Sequence, residues 1–170
     1  MFKNILLAMC LCFFLKSKSQ EKIVVQFFLH PTCPISQKYT LTINDLVKKY
    51  QEKPVQFEII FLNVKSHSQL IEVKNFMNQY QLDLPYRVLK NAKYANQWGV
   101  KVTPEVLVLH HDQVQYQGAI DDWFIDWGKN KNVPEQFYLI NALNSLLMHD
   151  VVWIKKTIPV GCLIELKTKL

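Results

Sequence analysis

Two sulfurs define the chemistry open to this sequence. Cys33 lies in FFLHPTCPISQKY, where an apolar run passes into a polar, helix-like segment, and Cys162 lies far downstream in VVWIKKTIPVGCLIEL. A thiol at the end of a buried strand and the start of a helix meets backbone N–H groups without intrahelical partners, at the positive end of the helix dipole. It ionises more readily there, and the thiolate is the nucleophile in disulfide exchange. Pro34 suits the first helical turn, because it has no N–H to leave unpaired. His30, three residues earlier, adds positive character if its ring turns inward. The plainer alternative is a buried structural cysteine beside an ordinary loop histidine.

A CxxC redox motif places its second thiol three residues after the first, and Ser36 holds that position here. Four cysteines occur in all, but Cys10 and Cys12 fall in the opening MFKNILLAMCLCFFLKSKSQ. Its charged Lys3, the apolar run Ile5 to Leu15 and the small-x-small site Ser17-Lys18-Ser19 read as an export signal, residues 1–19, cut before Gln20. That run is too short to cross a bilayer as a helix, which takes about twenty residues. An uncleaved anchor is the alternative; a lipoprotein signal ending at Cys10 fits poorly, since Met9 stands where a small residue is required. Cleavage leaves an exported protein, periplasmic or secreted, whose thiols are Cys33 and Cys162 alone. They form a pair, within one chain or between protomers, or act separately. A bridge within one chain closes a segment of about 130 residues, which the loop-entropy relation values at roughly 4 to 5 kcal/mol. A structural staple therefore stands beside redox use.

The elements that must position these sulfurs can be read from hydrophobic period. IVVQFFL, Ile23 to Leu29, is a continuous apolar run suited to a strand buried on both faces. Tyr39, Ile43, Leu46, Val47 and Tyr50 recur at helical spacing. Val55 to Leu62 reads as a second strand, and Leu70, Val73, Met77 and Tyr80 as a second helical face. A short helix from Asn91 to Trp98 stops at Gly99. Glu105 to Leu109 and Val114 to Tyr116 form a hairpin around HHDQ, and a helix runs from about Pro134 to Leu147. This order predicts an α/β sandwich, its early strands joined by crossover helices and its last pair antiparallel. The domain spans 20–149, and a tail, 150–170, carries the second cysteine. Trp98, Trp123, Trp127 and Trp153 read as core or rim packing.

At 170 residues and 49% hydrophobic, the chain has the size and apolar content of one globular domain. Its +6 excess is nearly all lysine, scattered, with Arg87 the only arginine, which speaks for a solvated surface and against a nucleic-acid face. No phosphate loop, serine-hydrolase arrangement or zinc cluster is present in the sequence, and nothing calls for a cofactor.

FFLHPTCPIS, VTPEVLVLHHD, YQGAIDDWF and VGCLIE, in that order, resemble segments of the thioredoxin-fold proteins of the redoxin group, related to alkyl hydroperoxide reductase and thiol-specific antioxidant proteins. The resemblance spans about Ile23 to Glu165. It implies a thioredoxin-like three-layer sandwich with a central mixed sheet flanked by helices. Cys33 then corresponds to the attacking cysteine. Pro104 corresponds to the cis proline beside it, and Thr103 offers its backbone to an extended substrate segment. Base frequency alone favours a trans Thr103–Pro104 bond, since about 5% of such bonds are cis; the resemblance reverses that. Asp121 and Asp122 match a recurrent acidic pair and read as surface, turn-forming residues.

The departures bear on activity. Peroxide-reducing members carry threonine or serine where His30 stands, so peroxidase activity is the lesser reading. Ser36 removes local resolution and leaves only a hydrogen-bonding hydroxyl near the thiolate, which makes Cys162, next to Gly161, the candidate resolving thiol. The expectation is an exported thiol-disulfide oxidoreductase acting on protein thiols or disulfides, with Cys33, Cys162, Ser36, Thr103 and Pro104 as its site. Two alternatives stay open. One is a copper(I) chaperone using the two thiols and His30, His110 or His111; the other is a non-catalytic interaction module.

Overall fold

A computed structural model describes residues 22–165. The expected signal, 1–19, and the last residues of the tail, 166–170, lie outside the described residues. Strand β1 (Ile23–Leu29) leads to helices α1 (Pro34–Lys38) and α2 (Thr40–Tyr50), then β2 (Val55–Phe61), α3 (His67–Gln79), β3 (Tyr86–Val88) and α4 (Lys93–Trp98). Next come β4 (Val102–Thr103), β5 (Glu105–His110), β6 (Gln113–Gly118), β7 (Phe124–Asp126), β8 (Lys129–Asn130), α5 (Tyr138–Leu147) and β9 (Cys162–Leu163). The central five-stranded sheet runs β3-β2-β1-β5-β6. Its first three strands are parallel, and β5 is antiparallel to both β1 and β6, so the sheet is mixed as expected.

Alternation along the strands builds the layers. Val25, Phe27 and Leu29 of β1, with Phe57, Ile59 and Phe61 of β2 and Val106 and Val108 of β5, face the main core. Helices α2, α3 and α5 cover that side through residues such as Ile43, Leu46, Phe76 and Leu143. Phe28, Ile60 and Leu107 point the other way, onto Ala95 of α4 and Val100. Gln26 and Glu58 share this second face, where Gln26 Nε2 donates to Glu58 and Arg87 pairs with the same carboxylate at 3.1 Å.

The expected helix over Tyr39 to Tyr50 is preceded by a separate turn of helix, α1. Tyr39 ends α1 at ψ −5°, and the Thr40 hydroxyl takes the Gln37 carbonyl at 2.7 Å. The expected start near Pro134 moves to Tyr138, because the Asp122 carboxylate captures the N–H groups of Glu135 and Gln136 at 2.8 and 2.9 Å. Trp127 and Trp153 are exposed, not packed. Past α5 the tail returns along the sheet edge: Gln117 N–H donates to Lys155 O and Thr157 N–H to Gln117 O. There the Thr157 hydroxyl meets Tyr116 Oη at 2.6 Å and accepts from Ala119 N at 2.9 Å. Gly118, at φ +144°, leaves room for this clamp, since a Cβ there would overlap Thr157.

Candidate active site

Cys33 is the last residue before α1, with the extended backbone of an N-cap (φ −78°, ψ 115°) and Pro34 in the first turn. The preceding turn closes through Cys33 N–H to His30 O at 3.1 Å, and Gln37 Nε2 donates to Pro31 O at 2.7 Å. Ser36 is fully buried, and its hydroxyl accepts from His30 N at 3.3 Å. Its described bond therefore ties the turn to the helix.

Cys33 and Cys162 form a disulfide within the chain, with Cα atoms 6.0 Å apart across a sequence separation of 129. Strand β9 delivers Cys162 by pairing antiparallel with β4, Thr103 opposite Cys162 and Val102 opposite Leu163. Ile164 N–H extends the pairing to Lys101 O at 2.9 Å. The Thr103–Pro104 bond is cis, and the Cys33 sulfur lies 3.1 Å from Thr103 O. Gly161 is decisive here: a Cβ on it would stand 2.4 Å from Thr103 O and 2.8 Å from Thr103 C. The tail reaches Cys33 only because that position has no side chain. With the tail in place Cys33 is 2% exposed and Cys162 is half-buried, and both border a cleft of about 330 Å³ shared with His30, Asn63 and Gln69.

Glu105 is a residue that sequence reasoning missed. It is 4% exposed, and its carboxylate accepts from Lys101 N (3.0 Å), Val102 N (3.4 Å) and Gln117 Nε2 (2.7 Å). Those bonds fix the backbone on both sides of β4 and tie it to the edge strand that carries the tail. A glutamate opening an otherwise apolar run, PEVLVL, was the available signal: an acid there is solvated only if backbone donors surround it.

Two expectations about charge are corrected. Desolvation lowers the pKa of His30 against the opposing pull of Glu72 and Glu165, which works against the positive character expected of its ring, and Nδ1 accepts from Thr32 N. Asp121 is not a surface residue. It is 5% exposed, burial raises its pKa, and it accepts from Tyr39 Oη at 2.5 Å and Trp123 N at 2.9 Å. Asp122 does organise a turn. Desolvation opposes its ionisation, yet bonds from Gln136 N, Lys131 and Glu135 N hold its carboxyl down at about 2.

His110 and His111 lie at the far end of β5 from Cys33, since Phe28 pairs with Glu105 while Val24 pairs with Leu109. They do not join the thiols. Among the described residues no group of three or more His, Cys, Asp or Glu is placed to hold a metal ion, and no helix is long and apolar enough to cross a membrane.

The thioredoxin-like family profile matches residues 20–114, more than half of the sequence. The chain belongs to the thioredoxin-like family. It is 36% identical over 80 residues to the thiol-disulfide oxidoreductase ResA of Bacillus thuringiensis, a match covering 47% of this chain and 44% of that protein. The chain thus spans less than half the length of the curated relatives it matches. Among solved structures it superposes on an uncharacterized conserved protein of Geobacillus kaustophilus with a TM-score of 0.74 and 22% identity, covering 88% of this chain and 80% of the other. It also superposes on a putative thiol:disulfide interchange protein DsbE of Chlorobium tepidum with a TM-score of 0.51 and 18% identity, covering 59% and 70%. These two likenesses show the fold. In this thioredoxin-like chain the second thiol comes from a C-terminal strand rather than from the helix that follows the first.

Proposed function

We propose that the chain is an exported thiol-disulfide oxidoreductase whose working pair is Cys33 and Cys162. The observation that carries this reading is the tail strand laid against Thr103, which brings the second thiol to the helix-start cysteine. The relative named as a thiol-disulfide oxidoreductase supports the same chemistry. Export is supported by the pattern of residues 1–19, and the domain and tail divide near residue 149.

The cycle begins at the more accessible sulfur. A donor thiolate attacks Cys162 Sγ, the Cys33–Cys162 bond breaks, and Cys33 leaves as a thiolate. Its position at the first turn of α1 favours that leaving group. A second donor thiol then frees Cys162 and carries away the donor disulfide. With the tail lifted, the Cys33 thiolate attacks a substrate disulfide, expels one substrate thiolate and holds the other sulfur in a mixed disulfide. Thr103, ahead of the cis Pro104, supplies the backbone edge along which that substrate segment pairs. Cys162 then attacks Cys33 Sγ and releases the second substrate thiolate, so two electrons pass from the protein to the substrate. The Thr157 clamp keeps the resolving thiol near, because the tether 158–161 lets Cys162 stray at most about 17 Å from Thr157. Ser36 holds the His30 turn, and Glu105 holds β4.

Trapping tests the reading. Cys162→Ser protein mixed with a disulfide-bonded protein substrate is expected to accumulate a mixed disulfide through Cys33 that reductant reverses, while the wild type releases its substrate. A Cys162→Ser chain that forms no adduct contradicts the proposal.

A further inference from the structure

We infer that the groove beside Thr103 is specific for an extended segment of the form apolar-Gly-Cys-any-apolar, and that the tail occupies it as a copy of the substrate. The inference rests on the exchange reading above. Cys33 Sγ bonds one sulfur at a time, and β9 holds the sulfur it is bonded to opposite Thr103, beside a cleft that both cysteines line. A substrate cysteine that pairs with Thr103 therefore takes the place of Cys162, and its neighbours take the places of Val160, Gly161, Leu163 and Ile164.

Each of those places has its own selectivity. At the position of Gly161 a Cβ meets Thr103 O at 2.4 Å, Thr103 C at 2.8 Å and Pro104 N at 3.3 Å. All three are backbone atoms of a segment braced by Glu105, so no flexible side chain can yield. The exclusion is one of space, because the backbone of Gly161 is not in the left-handed region. Val160 is half-buried against the main core and lines a cavity with Tyr39 and Pro104. Leu163 is 84% exposed, which makes the position after the cysteine indifferent. Ile164 packs on the cluster of Phe28, Leu62 and Leu107, and its N–H donates to Lys101 O. Apolar side chains are therefore favoured two residues to either side of the cysteine.

The probe is a synthetic PVGCLIE peptide, with blocked ends, whose cysteine is activated as the thionitrobenzoate disulfide. The Cys33 thiolate attacks the peptide sulfur, the probe's S–S bond breaks and thionitrobenzoate departs as a coloured thiolate; one disulfide is exchanged for another. Rates are measured on full-length Cys162→Ser protein, and again on the reduced wild type in case that variant folds poorly. Each rate is divided by the same peptide's rate with glutathione. The glycine peptide is expected to react at least fivefold faster than its Gly→Ala and Gly→Val counterparts, and a Leu→Lys change after the cysteine to alter the rate less than twofold. A Gly-to-Ala ratio below fivefold, with all peptides reacting, overturns the specificity and leaves the oxidoreductase standing. If no peptide reacts faster than with glutathione, the exchange reading falls and takes the inference with it.

Discussion

Gly161→Ala isolates the contact on which the tail's placement depends. The added methyl carbon would stand 2.4 Å from Thr103 O, so the tail must retreat by roughly 0.8 to 1 Å to reach ordinary van der Waals distance. Overpacking against unyielding atoms costs about 1 to 3 kcal/mol. That cost falls on the oxidised form, in which the bridge holds Gly161 against Thr103, and is relieved once the bridge opens and the tail lifts. For a two-electron couple about 30 mV corresponds to 1.4 kcal/mol, so the midpoint potential should rise by roughly 20 to 60 mV. The assay is equilibration in graded thiol-disulfide buffers, followed by alkylation and intact-mass measurement of the oxidised fraction. Gly99→Ala is the control. Gly99 ends α4 at φ +70° with nothing within 4 Å of a built Cβ. It should lose about 1 to 2 kcal/mol of stability to backbone strain with the potential unmoved. If Gly161→Ala leaves the potential within 5 mV of wild type, the close approach at Thr103 does not govern the bridge.

Reducing the wild type should lower its melting temperature by about 8 to 20 °C by calorimetry, since closing the 129-residue segment contributes roughly 4 to 5 kcal/mol and about 2 to 4 °C follow from each at this size. Thr157→Val removes the hydroxyl shared by Tyr116 and Ala119 and should slow release of substrate from the mixed disulfide severalfold in quenched-flow measurements, with its formation unchanged. Asp121→Asn keeps an acceptor for Tyr39 and Trp123 but does not titrate. Because burial raises the folded pKa of Asp121 above 3.8, its contribution to stability is full below that value and declines as pH rises through the folded pKa. The variant should therefore gain on the wild type between pH 4 and pH 7 in urea unfolding.

What the sequence disclosed follows from where local pattern and burial agree. β1 begins and ends at Ile23 and Leu29 as its apolar run predicts, because a strand covered on both faces carries a polar residue only where buried partners satisfy it, as Glu58 and Tyr94 do for Gln26. The HHDQ turn is present, with His111 and Asp112 at φ 54° and 58°, as a two-residue hairpin turn requires. Gly99 caps α4 in the left-handed region. The edge strand β3 escaped notice because Tyr86 and Arg87 are exposed and three residues carry no period. Strands β4 and β9 are two residues each, defined only by one another. Cys33 could be placed at a helix start from its neighbours, whereas the burial of Glu105 and Asp121 depends on partners distant in sequence. Gly161 could be marked as a point of close approach, but which atoms it approaches is visible only in three dimensions.

The midpoint potential of the Cys33–Cys162 pair in the wild-type chain tests the central claim most directly, by equilibration against thiol-disulfide buffers. An exchanging pair is expected above about −300 mV, within reach of partner thiols and disulfides. A value below that, with no mixed disulfide formed along the titration, would make the bridge a staple and contradict the account.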